Sequence, residues 1–255
     1  MAQESKKIAL VTGGSRGLGK DMATSLAKKG INVILTYNSK KEEADAVVSS
    51  LQANGVQAAA LQFDAGDLSG YDGFVTRVSK TLKDVFTADR FDFLVNNAGI
   101  ALYAPFAETT EEQFDSIMNI HYKGVFFLTQ KLLPILNDGG RIINISSGLA
   151  RFSQPGSSAY GSMKAAVESL SRYMARELGT RGINVNVVAP GPIATDFGGG
   201  RVRDNADINS QLSALTALGR VGQPDDIGGV VAFLCSEDAK WINAQRIEVS
   251  GGIFI

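Results

Sequence analysis

Of the 255 residues, one is cysteine and one is histidine. A lone Cys235 excludes an intrachain disulfide, a CxxC redox pair and a Cys-rich zinc centre. With His121 the sole imidazole, no structural metal is expected. Net charge is missing too: 25 Lys and Arg stand against 26 Asp and Glu, so nothing electrostatic points to nucleic acid or an anionic membrane. No apolar run approaches the roughly 20 residues that span a bilayer. The opening, MAQESKKIALVTGG, runs from strand-like residues straight into a glycine turn and shows no signal-peptide core. A Pro/Ser-rich linker and low-complexity tracts are absent as well. These absences lead us to expect a cytoplasmic, metal-free protein with neither nucleic acid nor membrane as partner. Its length and 44% hydrophobic content give ample core for one domain over 1–255.

What is present is alternation. Short β-branched runs at 7–13, 32–37, 56–64, 91–97, 141–146, 183–189 and 246–251 read as strands. Several are apolar throughout, as strands buried on both faces are. Helical stretches fall between them, at about 17–29, 40–54, 70–88, 111–136, 157–179 and 224–236. The pattern predicts an α/β Rossmann-type doubly wound domain with a seven-stranded, mainly parallel sheet and helices on both faces. The one long irregular stretch lies at 190–211, and a segment of about 190–215 is expected to act as a substrate loop or lid. In such sheets ligands bind at the carboxyl ends of the strands, at the switch point.

Two local patterns carry chemistry. TGGSRGLG (12–19) follows the first strand and opens a helix. Gly13 permits the tight turn, Gly17 lets backbone approach a pyrophosphate, and Gly19 allows close helix packing; the helix N-terminus favours phosphate. A mere structural turn is the alternative. SSAYGSMKAAVESL (157–170) sets Tyr160 and Lys164 side by side at the edge of an apolar stripe formed by Met163, Ala166, Val167, Leu170, Met174 and Leu178. For an isolated pair, a packed tyrosine with a solvated lysine would suffice as explanation.

Taken in order, TGGSRGLG, NNAG (96–99), YGSMK (160–164) and PGPIAT (190–195) resemble the short-chain dehydrogenase/reductase family. The likeness is to its simple single-domain branch, similar to 3-oxoacyl-(acyl-carrier-protein) reductase-like carbonyl reductases, and runs from about residue 7 to VSGG (249–252). It implies that Gly13, Ser15, Arg16, Gly17, Leu18 and Gly19 cradle a nicotinamide dinucleotide. Asp64 would contact the adenine, Asn96, Ala98 and Gly99 the middle of the cofactor, and Pro190, Gly191, Ile193 and Thr195 its nicotinamide end. NAD-selective members place an acid after the second strand; here Tyr37 stands there, followed by Asn38 and Ser39. A 2′-phosphate would meet no repulsion, and Arg16, with Lys40 in reach, supplies positive charge. NADP(H) is therefore expected over NAD(H), although Lys40 and Lys41 also suit a plain solvated helix start.

The resemblance implies reversible hydride transfer between NADPH and a ketone or aldehyde, with Tyr160 as acid/base. Moving a phenol from pKa about 10 to 7 takes about 4 kcal/mol; one charge about 4 Å away at an effective dielectric near 20 supplies that order, a purpose for Lys164, which would also grip the nicotinamide ribose. Ser147, 13 residues before Tyr160, matches the substrate-orienting serine, and Ser146 is read as a strand cap. The departure is IMNIHYKGVFF (117–127): the family's relay asparagine, four residues before the Val-Phe pair, is His121. Either its carbonyl or imidazole holds the relay water, or the imidazole shuttles protons near pH 6.5. Asn119 lies about 200° away around a helix, a poor substitute. Phe152 and Phe197 are candidate apolar walls for a small carbonyl substrate. A 3-oxoacyl thioester stays open as substrate, though QKLLPILNDGGR (130–141) lacks the basic cluster that faces an acyl-carrier protein. The C-terminal segment resembles the family's assembly region, implying a homotetramer. A non-catalytic nicotinamide-binding sensor is the rival class, against which Ser147, Tyr160 and Lys164 all count. An epimerase or dehydratase of the extended fold is a further rival, disfavoured by the TGxxxGxG spacing.

Overall fold

A computed structural model describes residues 6–255; residues 1–5, the start of the expected 1–255 domain, lie outside the described residues. Among the described residues seven strands form one parallel sheet in the order β3-β2-β1-β4-β5-β6-β7. They are β1 (Ile8–Val11), β2 (Asn32–Tyr37), β3 (Ala58–Gln62), β4 (Phe91–Asn96), β5 (Leu136–Ile145), β6 (Asn184–Pro190) and β7 (Arg246–Val249). Alternate residues feed opposite cores. Ala9, Val11, Val33 and Leu35 pack under helices α1 (Gly17–Lys28), α2 (Lys41–Ala53) and α9 (Asp225–Leu234). Leu10, Ile34 and Leu94 pack under α3 (Tyr71–Phe86), α5 (Gly124–Leu132) and α6 (Ser158–Leu178). A central strand with both faces covered has no reason to alternate polar and apolar residues, which is why these runs read as uniformly hydrophobic. Among the described residues no helix is long and apolar enough to cross a membrane.

Three expectations are corrected. The single helix expected over 111–136 is α4 (Glu111–Met118), a π-helical turn Asn119–Lys123, then α5 and a short 3-10 turn. The extra residue of the π turn leaves the apolar pattern nearly intact, so periodicity does not register it. The stretch at 190–211 is not irregular throughout: it holds α7 (Arg201–Asp204) and α8 (Ala206–Ala214). β5 starts at Leu136 rather than 141, with a register shift against β4 between Phe91 and Phe93. The strand order reverses between β1 and β4, and the carboxyl ends there open a crevice.

Candidate active site

The crevice is a cleft of about 430 Å³. At its floor the chain leaves β1 through Thr12, whose Oγ1 accepts from the backbone N–H groups of Asn97 (2.9 Å) and Ala98 (3.0 Å). This one buried hydroxyl ties the glycine turn to the end of β4. Gly13 adopts φ +64°, and a Cβ there would stand 3.0 Å from Ala98 Cα. Gly19 has no room for a side chain at all: its Cβ would run into the Gly13 carbonyl and the Asn97 amide. No side chain caps the start of α1 and no acid occupies its first turn. The first N–H groups of the helix are thus aimed at the cleft with favourable dipole, the arrangement a pyrophosphate requires.

Almost every expected cofactor residue lines this cleft: Gly13, Ser15, Arg16, Gly17, Leu18 and Gly19 from the turn, Tyr37, Asn38 and Ser39 beyond β2, Asp64 beyond β3, Ala98 and Gly99 beyond β4, and Pro190, Gly191, Ile193 and Thr195 beyond β6. No carboxylate follows β2 before Ser39, so the residues present fit a phosphorylated ribose. Asn96 is the exception. It is buried beneath the cleft, its amide donating to Thr129 Oγ1 (3.0 Å) and Asn144 Oδ1 (2.8 Å), where it fastens β4 to α5 and β5. Its neighbour Asn97 lines the cleft instead, donating to the Thr12 carbonyl at 2.8 Å. Alternation along a strand sends adjacent residues to opposite sides, and that parity was the overlooked signal in NNAG. Lys40 is also corrected: it pairs with Glu43 at 2.8 Å along α2 and does not line the cleft. Arg16 reaches across the cleft to Asp196, Nη1 to Oδ2 at 2.7 Å.

Ser147, Tyr160 and Lys164 meet at the far end of the same cleft. Ser147 ends the turn after β5, its Oγ accepting from Leu149 N–H at 3.2 Å. Lys164 is buried and donates to the Ile145 carbonyl at 2.7 Å, with Nζ 5.7 Å from the Tyr160 ring centroid. Burial draws the ammonium down to about 8, so it is charged at neutral pH. Tyr160 is held above the ordinary phenol value, chiefly by burial, with the Ser147 hydroxyl acting the other way. Desolvation of the phenolate outweighs the expected lowering by Lys164, whose ammonium lies beside the ring and is bonded to the Ile145 carbonyl.

His121 sits in the π turn with its ring edge-on to Tyr160, centroids 5.1 Å apart. Its Nε2 lies 3.1 Å from Ile100 N and 2.8 Å from Ile100 O, while Nδ1 is buried with no partner. Burial, reinforced by the charge of Lys164, lowers its pKa to about 3. A buried imidazole held neutral in this way does not suit a proton shuttle titrating near 6.5. Asn119 faces a separate depression beside Glu111, Glu112 and Asp115, so it does not stand in for His121. Gly99 is required by this histidine: a Cβ there would lie 2.5 Å from His121 Cε1.

Sequence reasoning missed a supporting network. Ser146 is no simple cap; its Oγ donates to Glu168 Oε1 at 2.7 Å. Arg246 on β7 donates to the same oxygen at 2.7 Å, to Glu248 at 3.1 Å and to the Ser147 carbonyl at 3.4 Å. These residues are 78 and 99 positions apart from Arg246, and no local pattern joins them. Phe152 and Phe197 do line the cleft, joined there by Tyr103 and Phe254.

A parallel sheet with a glycine turn at its switch point and Ser, Tyr and Lys on the same rim defines a dinucleotide-dependent oxidoreductase. Known proteins narrow the class. The family described as enoyl-(acyl carrier protein) reductase matches residues 13–253. An uncharacterised oxidoreductase of Methylorubrum extorquens is 40% identical over 253 residues, 99% of this chain and 100% of that one. The 3-oxoacyl-[acyl-carrier-protein] reductase FabG of Staphylococcus aureus is 38% identical over 252 residues, 98% of each. The angucycline C-6 ketoreductase LanV, solved with bound NADP, superposes with a TM-score of 0.92 at 38% identity, over 96% of this chain and 95% of that chain. The chain belongs to the short-chain dehydrogenase/reductase family and is an oxidoreductase.

Proposed function

We propose that the protein reduces a ketone or aldehyde to the alcohol with NADPH, reversibly, using Tyr160 as acid/base. The observation that carries this reading is the convergence of Ser147, Tyr160 and Lys164 on the cleft that holds the glycine turn. Bound NADPH supplies the hydride and, once oxidised, a positive charge beside the phenol. As the carbonyl oxygen gains charge, Tyr160 gives it a proton; burial keeps the phenol protonated but makes it a weaker acid, a cost that the positive charges of Lys164 and of the oxidised nicotinamide offset. Ser147 orients that oxygen. Lys164, charged and fixed by the Ile145 carbonyl, stabilises the phenolate left behind and is placed to hold the nicotinamide ribose. His121 is assigned the relay position as a neutral group, its buried Nδ1 without a partner among the described residues.

For the cofactor, Arg16 is assigned the 2′-phosphate, which would draw it from Asp196. Tyr37, Asn38 and Ser39 present no acid to oppose this, supporting preference for NADP(H) over NAD(H). The likeness to FabG favours a second reading, 3-oxoacyl thioester reduction; sparse positive charge between Gln130 and Arg141 speaks against a carrier-protein partner. We extend the proposal to a homotetramer, supported by Phe114, Phe127 and Tyr173 left exposed on α4, α5 and α6, and to a cytoplasmic location, in keeping with a lone, buried, unpaired Cys235.

The test is oxidation of NADPH and, separately, NADH over a panel of aryl ketones, ketoesters and a 3-oxoacyl thioester, with Tyr160→Phe alongside. Carbonyl-dependent oxidation that prefers NADPH and vanishes in the variant is expected. Tight NADPH binding with no turnover on any carbonyl would overturn the reading in favour of a sensor.

A further inference from the structure

Four aromatic rings line the end of the cleft that holds Tyr160: Tyr103, Phe152, Phe197 and Phe254. The Phe197 ring lies 6.1 Å from that of Tyr160, tilted by 53°, and Phe254 lies 5.2 Å from Phe152, tilted by 54°. Tyr103, Phe197 and Phe254 remain 46%, 43% and 49% exposed. Large rings left open inside a concavity mark a place where an apolar ligand is taken up.

The rings are held in place at a conformational cost. Gly198, Gly199 and Gly200 all adopt left-handed backbone, φ 63°, 74° and 77°. A Cβ on Gly198 would stand 3.2 Å from Tyr103 Cε2, so this turn passes the tyrosine closely while presenting Phe197 to Tyr160. Phe254 itself has φ +57°, uncommon for a bulky residue. The neighbouring chain enforces it: Ile253 bridges Thr216, Ala217 N–H donates to Gly252 O at 3.2 Å, and Phe254 N–H donates to Leu215 O at 3.4 Å. Backbone strain persists where surroundings over-determine it, and it gathers at ligand sites. Guanidinium groups stand over two of the rings, Arg201 over Tyr103 at 5.2 Å and Arg151 over Phe152 at 5.3 Å. Arg151 is itself paired with Glu248 at 3.0 Å. Among the described residues that line the cleft, the basic side chains Arg16 and Lys164 are engaged, by Asp196 and the Ile145 carbonyl.

Building on the reductase reading, we propose that the substrate is an uncharged aryl ketone whose planar ring lies between Phe197 and the Phe152–Phe254 pair, and that Phe254 is a specificity-determining residue. Hydride from NADPH joins the carbonyl carbon, the Tyr160 proton joins its oxygen, NADPH is oxidised, and the ketone becomes a secondary alcohol.

The test compares kcat/KM for 1-tetralone, ethyl 3-oxobutanoate and a 3-oxoacyl N-acetylcysteamine thioester in the wild type, Phe254→Ala and Phe254→Tyr. The wild type is expected to favour 1-tetralone over both others. In Phe254→Ala that preference ratio should fall by about tenfold, carried by KM, since an aromatic pair adds discrimination of that order; Phe254→Tyr should restore most of it. Phe152→Ala is the second variant, expected to move the ratio in the same direction, and NADPH affinity and the melting transition verify that each variant folds. Preference for the ketoester or thioester, or a ratio unmoved in both alanine variants, overturns the aryl-ketone assignment while leaving the reductase intact. No turnover on any of the three overturns the reductase reading itself.

Discussion

Replacing the sole histidine gives an unusually clean stability experiment. His121 is 1% exposed, and its pKa is about 3 in the folded chain against about 6.5 unfolded. A histidine whose folded pKa is depressed is charged more readily in the unfolded state, so stability is intact above 6.5 and declines as pH falls below it. Between pH 7.5 and 5.0 the loss from this group is about 2 kcal/mol; the full gap of about 5 kcal/mol would appear only near pH 3. Urea unfolding at pH 7.5 and 5.0, at one fixed protein concentration, measures it in the wild type and in His121→Asn. The variant lacks the titrating ring but keeps a polar group, and the carboxylates titrate alike in both proteins. The wild type should lose about 2 kcal/mol more than the variant across this interval. Equal losses would refute a buried neutral imidazole and reopen the proton shuttle.

Three further outcomes follow from the same geometry. Arg16→Ala removes the guanidinium assigned to the 2′-phosphate, so KM for NADPH should rise about 10- to 100-fold with little change for NADH, read from steady-state rates. Arg246→Met leaves Glu168 and Glu248 without the cation they share; chemical denaturation should show a loss of about 3 kcal/mol, with kcat falling as Ser147 loses the contact on its carbonyl. In the direction of reduction, kcat/KM should be flat across pH 6.5, because His121 does not titrate there. It should then fall as pH rises through about 8, where Lys164 gives up its charge.

The sheet was legible because its strands are buried on both faces, and a run such as Leu10–Val11 or Ile34–Leu35 has no polar option. The glycine turn and the Tyr160–Lys164 pair were legible because close backbone approach and helical spacing are local constraints. What escaped was non-local or off-period. Asn96 and Asn97 differ only by strand parity, and the π turn that carries His121 adds its extra residue without a mark in the apolar pattern. The clamp of Arg246 on Glu168 and the Ser147 carbonyl joins β7 to α6 across the fold, and Tyr103 and Phe254 join the expected Phe152 and Phe197 from separate segments. Tertiary placement also reversed one energetic expectation: desolvation of Tyr160 outweighs a lysine bonded elsewhere.

The central claim is hydride transfer to a carbonyl carbon with Tyr160 donating the proton. It is tested most directly by incubating the protein with NADPH carrying deuterium at both C4 positions and 1-tetralone, then locating the label in the product by mass spectrometry and NMR. The account predicts one deuterium on the carbinol carbon of the alcohol in the wild type, and no labelled alcohol with Tyr160→Phe. Undiminished labelled product in that variant, or consumption of NADPH that leaves no deuterium on that carbon, would contradict it.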